Sequence, residues 1–398
     1  MQCETPEDDG SNNDGPVRQI RVRELTASGI CIKCKKAKAI IFLHYAVFCG
    51  ECLKDKASKQ FRHAIKQQSM DHLPTGKVMV ACSGGMSSSL MLYLMNESFN
   101  RNKYQRSRFT GVVVCHIDES ALIEGQQDVS LGTMMGDHEY VVRRLEDVFA
   151  DEAAEKSDPA ERQKTPRERL IRSLSSASKM SSREDLIQYY RQQLLIQVAR
   201  EHSCPYILLG DSATRTAIKI ISGVCKGRGF GLPALVASES TQGDVIILKP
   251  MRDLTSKEVA VLAQLCEINV NTVRSFDTGL PAKSSIDRLT EDFILGLQVD
   301  FPSTTSTVLK TGFKVETGHD SKAHVTQCPL CGGAVEPASH EWRSSHTVSS
   351  LIPPIPLSSP PKDSSRGLCY GCQNVAWDLG DNTNDLPSFV KNALIRED

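Results

Sequence analysis

Eight of the chain's 14 cysteines stand in four Cys-x-x-Cys pairs, Cys31/Cys34, Cys49/Cys52, Cys328/Cys331 and Cys369/Cys372. Two such knuckles brought together place four thiolates at the corners of a tetrahedron, the preferred surroundings of structural zinc. Fourteen residues separate the first two knuckles and 37 the last two. Lys33, Lys35, Lys36 and Lys38 flank the first knuckle, and their charge favours thiolate over thiol. Gly332, Gly333 and Gly371 supply the tight turns of the later pair. Both sets offer four sulfurs and no open position, so both are read as structural zinc sites; free core cysteines or a redox pair are the alternative. A small unit cannot bury enough apolar surface alone, and a metal compensates. His44, between the first knuckles, is either a substitute ligand or a surface histidine. Of the single cysteines, Cys82, Cys115 and Cys204 adjoin apolar runs and are expected to be buried and inert. Cys225 lies in a basic, glycine-rich setting.

The acidic, polar start of the chain is neither a secretory signal nor an Arg-rich transit peptide. A reducing setting is therefore expected, cytoplasmic by default with the nucleus as the alternative, where paired knuckles argue metal before disulfide. Hydrophobic residues make up 40% and charged residues 24% of the 398, which suits a globular protein. No apolar run approaches the roughly 20 residues of a membrane helix, so no membrane partner is expected.

Residues 82 to 89 read Cys-Ser-Gly-Gly-Met-Ser-Ser-Ser between two apolar runs, Val78 to Ala81 and Leu90 to Leu94. A strand, a Gly/Ser loop and a helix start fit that order. Free amides and the helix dipole then make Ser83, Gly84, Gly85, Ser87, Ser88 and Ser89 a candidate phosphate cradle. No Gly-Lys-Ser/Thr follows, so this is not a Walker loop. The other reading is an ordinary strand–turn–helix corner.

The chain reads as a disordered tail (1–16), a basic zinc-knuckle module (17–72), an α/β domain (73–315) and a C-terminal zinc-knuckle module (316–398). Within these, 150–182 reads as a mobile, charged and Ser-rich insertion, and 334–366 as a Ser/Pro-rich spacer. Strands are expected at 78–81, 111–117, 206–209 and 245–248, with helices at 88–97, 184–201 and 213–222 and another opening at Thr255. Residues 139–149 fit strand or helix. Alternating strands and helices imply a parallel, Rossmann-like sheet, with ligands beyond the C-terminal strand ends. Ser83, Asp118 and Asp211 would lie on that rim.

The formal net charge is -1, so any polyanion-binding signal is local. Between Arg18 and Lys66 twelve Lys/Arg face three acids, a local charge of +9. Lys33, Lys35, Lys36, Lys38, Lys59, Arg62 and Lys66 are candidate contacts to a nucleic-acid phosphate backbone; a solvated lysine face is the alternative. Arg215, Lys219, Lys226 and Arg228 could extend the track beside the rim.

Taken together, Cys31 to Cys52, the loop Ser83-Gly84-Gly85-Met86-Ser87-Ser88, the segment Leu297 to Val315 and the C-terminal knuckles resemble the thiolases that install 2-thiouridine in transfer RNA. These belong to the PP-loop (adenine nucleotide alpha hydrolase-like) ATP pyrophosphatases. Within that group the chain looks like the non-identical partner of the catalytic subunit. Active members carry Ser-Gly-Gly-x-Asp-Ser, where Ser87 here takes the Asp place. They also carry a mid-domain Cys-x-x-Cys that holds an iron–sulfur cluster or relays sulfur, and none lies between Cys82 and Cys328. Their Gly-His-Asn-Ala-Asp-Asp stretch appears here as Gly210-Asp211-Ser212-Ala213-Thr214-Arg215. The resemblance implies a heterodimer with a catalytic tRNA thiolase paralogue, tRNA binding, and sulfur delivered to the wobble uridine from a thiocarboxylated ubiquitin-related modifier. ATP would adenylate O2 of the uridine, with most of the chemistry in the partner and no catalytic residue here. A zinc-stabilised RNA-binding scaffold and a self-sufficient ATP-dependent ligase of the same fold are the competing readings.

Overall fold

The structure is a computed structural model, and it describes residues 29–43, 46–66, 74–101, 109–123, 138–153, 164–268, 270, 275–276, 279–315, 326–339, 341, 367–380 and 385–395. The tail 1–16, His44, residues 154–163 and most of the 334–366 spacer lie outside these. The chain divides into two compact units, Met1–Lys59 and Gln60–Asp398; the expected boundary near residue 72 lies outside the described residues.

In the first unit, β1 (Ile41–Leu43) and β2 (Ala46–Phe48) pair antiparallel. Ile41, Leu43 and Val47 are buried, as period-two alternation requires. Helix α1 (Gly50–Lys66) starts directly after Cys49. Leu53, Ala57, Phe61 and Ile65 recur every fourth residue and are all buried, the stripe that makes this segment a helix.

The second unit is built on a six-stranded sheet. Its elements begin with β3 (Gly76–Ala81), α2 (Met86–Arg101), β4 (Phe109–Asp118) and β5 (Glu139–Arg144). Next come α3 (Pro166–Ser175), α4 (Met180–Glu201), β6 (Tyr206–Leu208), α5 (Ala213–Cys225), α6 (Leu232–Val236), β7 (Glu239–Gln242) and β8 (Val245–Leu248). Among the described residues the helices that follow are α7 (Ser256–Leu265), α8 (Ile286–Asp300), α9 (Thr304–Lys314), α10 (Tyr370–Leu379) and α11 (Ser388–Ile395). The strand order is β5-β4-β3-β6-β8-β7. All neighbours run parallel except β7, which is antiparallel to β8. The order reverses between β3 and β6, which opens a crevice at their C-terminal ends. The expected parallel α/β sheet is therefore present. The undecided stretch 139–149 resolves into β5 and a 3-10 turn over Leu145–Ala153.

Two expectations need correction. The stretch 150–182 contains α3, opened by a capping box in which the Thr165 hydroxyl accepts from the Glu168 N–H and the Glu168 carboxylate accepts from the Thr165 N–H. Leu170, Leu174 and Ala177 then enter a hydrophobic core. Its Ser-rich composition hid a Leu170/Leu174 pair at helical spacing. The C-terminal knuckles are likewise no separate module. Cys328, Leu330, Leu368, Cys369, Cys372 and Val375 share one core with Leu174, Leu186, Tyr189 and Tyr190. Separation in sequence concealed this packing.

No helix among the described residues is long and apolar enough to cross a membrane. Leu368 is fully buried in the shared core, so Leu368→Ala is expected to destabilise the whole second unit by about 2–5 kcal/mol. Denaturant unfolding followed by far-UV circular dichroism should show one earlier transition for this unit. A separate early transition confined to the C-terminal segment would contradict the shared core.

Candidate functional site

The loop after β3 and the turn after β6 meet at the sheet's switch point. Gly84 has φ 81°, a left-handed conformation that a side chain would strain. It lets the chain turn sharply from Ser83 into α2, whose first-turn amides have no partner within the helix. The hydroxyls of this loop bond mostly inward. Ser88 donates to the Gly85 carbonyl at 3.0 Å and Ser89 to that of Gly84 at 3.4 Å, while the Ser83 and Ser88 hydroxyls lie 3.3 Å apart. Ser87 reaches across the crevice and donates to the Gly210 carbonyl at 2.6 Å. A carboxylate in its place would be an acceptor facing an acceptor. The six predicted cradle residues are thus brought together, with Ser87 serving as a clasp between the two loops. A Cβ on Gly210 would stand 3.1 Å from Ser88 Cα and 3.2 Å from Ser88 N, so any side chain there presses on the backbone that starts α2.

The rim acids lie where the sheet topology predicts. Asp118 ends β4, is buried, and accepts from the N–H and hydroxyl of Ser120 at 2.9 and 3.0 Å. Asp211 takes both its bonds from Lys219, at 2.8 and 2.7 Å. Burial opposes its charge, but Lys219 holds its carboxyl below the ordinary carboxylate value. Two rim groups carried no signal in the sequence. His116 Nδ1 donates to the Cys82 carbonyl at 2.8 Å, which fixes the ring behind the loop. Lys249, one residue past β8, is buried and donates to the Leu235 carbonyl at 2.7 Å.

The extended basic track does not form. Arg215 lies 3.7 Å from Glu291, and Lys219 is bound to Asp211. Lys226 pairs with Asp185 and Asp287, and Arg228 with Asp185. All four are paired with carboxylates, and the two that are largely buried, Lys226 and Arg228, need their charge answered there. In the first unit Lys33, Lys35, Lys36, Lys38 and Lys59 are exposed. Lys33 and Lys59 share Asp55, at 2.6 and 3.0 Å; their bonds bring its carboxyl down to about 2. Arg62 and the exposed Lys66 lie farther along α1.

Each cysteine set closes on itself, and in each the four Sγ atoms all lie within 4.8 Å of one another. Thiolates at about 2.3 Å around one tetrahedral ion stand about 3.8 Å apart. Cys34 and Cys49 are 3.8 Å apart and Cys331 and Cys369 3.6 Å, so both sets could hold a single metal ion. Burial works against the Cys31 thiolate, but the N–H groups of Cys34, Cys49 and Lys33 bring that thiol down to about 6. Burial and the neighbouring sulfurs push Cys52 up to about 12, a crowding of charge that a dication relieves.

A family model described as cytoplasmic tRNA 2-thiolation protein 2 matches residues 285–374. The chain is 32% identical over 358 residues to the protein of that name from Bos taurus, spanning 76% of this chain and 71% of that one. It is 28% identical over 375 residues to the one from Danio rerio, spanning 80% and 74%. Among solved structures, the U34-tRNA thiolase NcsA from Methanococcus maripaludis with its [4Fe-4S] cluster matches at a TM-score of 0.54. It is 16% identical, with 81% of this chain and 98% of that one covered. At that identity the match shows a common fold.

Two outcomes test this geometry. Gly210→Ala should cost about 1–3 kcal/mol by forcing the two loops apart, read as an earlier denaturant midpoint; an unchanged midpoint would contradict the close approach. Burial lowers Lys249 to about 8, with Asp211 opposing the shift, whereas an unfolded lysine titrates near ~10.4. Between those values the unfolded chain binds more protons than the folded one, so stability rises with pH across about pH 8–10. The wild type should therefore gain on Lys249→Met over that window in parallel denaturation curves, and parallel behaviour of the two would contradict a depressed ammonium.

Proposed function

The chain belongs to the cytoplasmic tRNA 2-thiolation protein 2 family, whose work is transfer RNA thiolation, and from this we propose that it is the non-catalytic subunit of a cytoplasmic wobble-uridine thiolase. In this reading it binds tRNA and pairs with a catalytic paralogue, and sulfur comes from a thiocarboxylated ubiquitin-related modifier. One observation carries the reading. The loop stands at the switch point of the sheet, yet Ser87 donates to Gly210 where active members have an acid. A side chain that should face magnesium and phosphate instead ties two loops together. No Cys-x-x-Cys lies between Cys82 and Cys328, so the α/β domain lacks the paired sulfurs of a self-sufficient enzyme.

Each remaining part has a physical role in the proposal. The loop amides at the start of α2 would hold an anion by position and dipole. Lys35, Lys36 and Lys38, exposed beside the first knuckle, would meet the phosphate backbone of tRNA. Cys31, Cys34, Cys49 and Cys52 would hold one zinc ion, and Cys328, Cys331, Cys369 and Cys372 another. The sulfur spacings support this assignment. Bound there, zinc supplies structure alone, since four sulfurs leave no coordination position for substrate.

Incubation of the isolated chain with ATP and tRNA tests the subunit role. Stable tRNA binding without pyrophosphate release is expected, with thiolation appearing only when the catalytic paralogue is added. Pyrophosphate release by the chain alone would overturn the reading in favour of a self-sufficient ligase. In the reconstituted pair, Ser83→Ala/Gly84→Ala should lower 2-thiouridine, measured by nucleoside mass spectrometry, while tRNA affinity is kept. Unchanged thiolation would remove the loop from the mechanism and leave an RNA-binding scaffold.

A further inference from the structure

We infer that Tyr189 and Arg228 are built-in outer partners of the C-terminal metal centre, with Tyr189 holding Cys372 as a hydrogen-bonded thiolate and Arg228 polarising Tyr189 for that task. The inference rests on the reading that this cysteine set holds a metal ion.

The direction of the chain of bonds follows from chemistry. Tyr189 Oη lies 3.2 Å from Cys372 Sγ and 2.5 Å from Arg228 Nη2. A guanidinium can only donate, so the tyrosine oxygen accepts from Arg228. The single phenolic proton is then left for the sulfur. Tyr189 is 2% exposed and Cys372 0%, so no water competes for that proton. A donor bonded to a cation is a stronger donor, and the low-dielectric surroundings add to the effect.

The arrangement is held from several sides. Arg228 also donates to Asp185 at 2.7 Å, and its guanidinium lies 5.6 Å from the centre of the Tyr189 ring. The other Asp185 oxygen accepts from Lys226 at 2.9 Å, and Lys226 also bonds Asp287 in α8. Two cations and two anions therefore balance, and the guanidinium is fixed in place. The knuckle itself is shaped to the arginine. A Cβ on Gly371 would fall 2.5 Å from Arg228 Nε and 2.6 Å from Cγ, so Arg228 passes under the bare backbone between Cys369 and Cys372. Hydrogen bonds to a ligating sulfur lower its electron donation and fix its position, and their loss typically costs a metal site about 10- to 100-fold in affinity. Arg228 follows α5 by two residues beyond its C-cap Lys226, while Asp211 and Ser212 at the other end of that helix stand on the rim. The metal centre thus anchors the far end of a helix that begins at the candidate site.

The full chain loaded with two equivalents of zinc, and separately with cobalt(II), provides the test. Tyr189→Phe keeps the ring and removes only the proton donor. One of its two zinc ions should become about 10-fold or more weaker against a competing chelator, with the melting profile of the loaded protein kept. The sulfur-to-cobalt charge-transfer band of that one centre should shift, a change that loss of packing alone would not produce. Arg228→Met should move both readouts the same way, and Arg228→Lys should recover part of each. The inference is overturned if Tyr189→Phe and Arg228→Met match the parent in both readouts. A zinc stoichiometry that Cys328→Ala leaves unchanged would instead sink the metal reading at this cysteine set, and the stoichiometry tells the two failures apart. Should Tyr189→Phe not fold, Arg228→Lys carries the same comparison.

Discussion

Helix α4 buries apolar side chains over nearly its full length, and the second unit is arranged about that demand. Leu186, Ile187, Tyr189, Tyr190 and Leu194 point into the core shared with the C-terminal cysteines. Leu195, Val198 and Ala199 pack against Met79, Val113, Ile207 and Ile247 of the sheet. Each such side chain contributes about 1.5–3 kcal/mol when fully buried. A helix apolar on more than one face needs cover on more than one face. The sheet supplies one cover. The C-terminal segment, folded back across more than a hundred residues of intervening chain, supplies the other.

The same helix carries polar groups into that interior, and they are not scattered. Asp185 stands one turn before Tyr189, so both reach the same surface at i and i+4 spacing. There they meet Lys226 and Arg228 from the end of α5 and Cys372 from the start of α10. Buried ions and a buried phenol are costly unless every member finds a partner. This network joins α4, the end of α5 and the C-terminal knuckle. At the opposite end of α5, the Ser87–Gly210 bond joins the two loops of the switch point. Burial and polar satisfaction therefore act at both ends of one helix.

In the sequence, legibility followed the length scale of the signal. The strands at Val78–Ala81 and Val245–Leu248 are readable because short continuous apolar runs are local. The four knuckles were readable because metal-ligand spacing is local within each pair. The Gly/Ser loop was placed correctly at the end of β3, since a strand, a glycine turn and a helix start form one contiguous pattern. Residues 166–175 were missed because Ser and Arg outnumber the two leucines that matter. In the sequence Lys226 and Arg228 look like an extension of the basic track because their carboxylate partners lie 41 to 61 residues away.

The sequence by itself determined which residues could bind metal, where a phosphate-type loop could sit, and that a parallel sheet would carry it. Each of these depends on neighbours a few residues apart, whose chemistry is set by covalent spacing. Only the tertiary structure decided that the C-terminal cysteines join the core of α4, that Ser87 spends its hydroxyl on Gly210, and that the basic residues after α5 turn inward. Those outcomes depend on which distant surfaces exclude water together, and exclusion of water is a property of the packed chain.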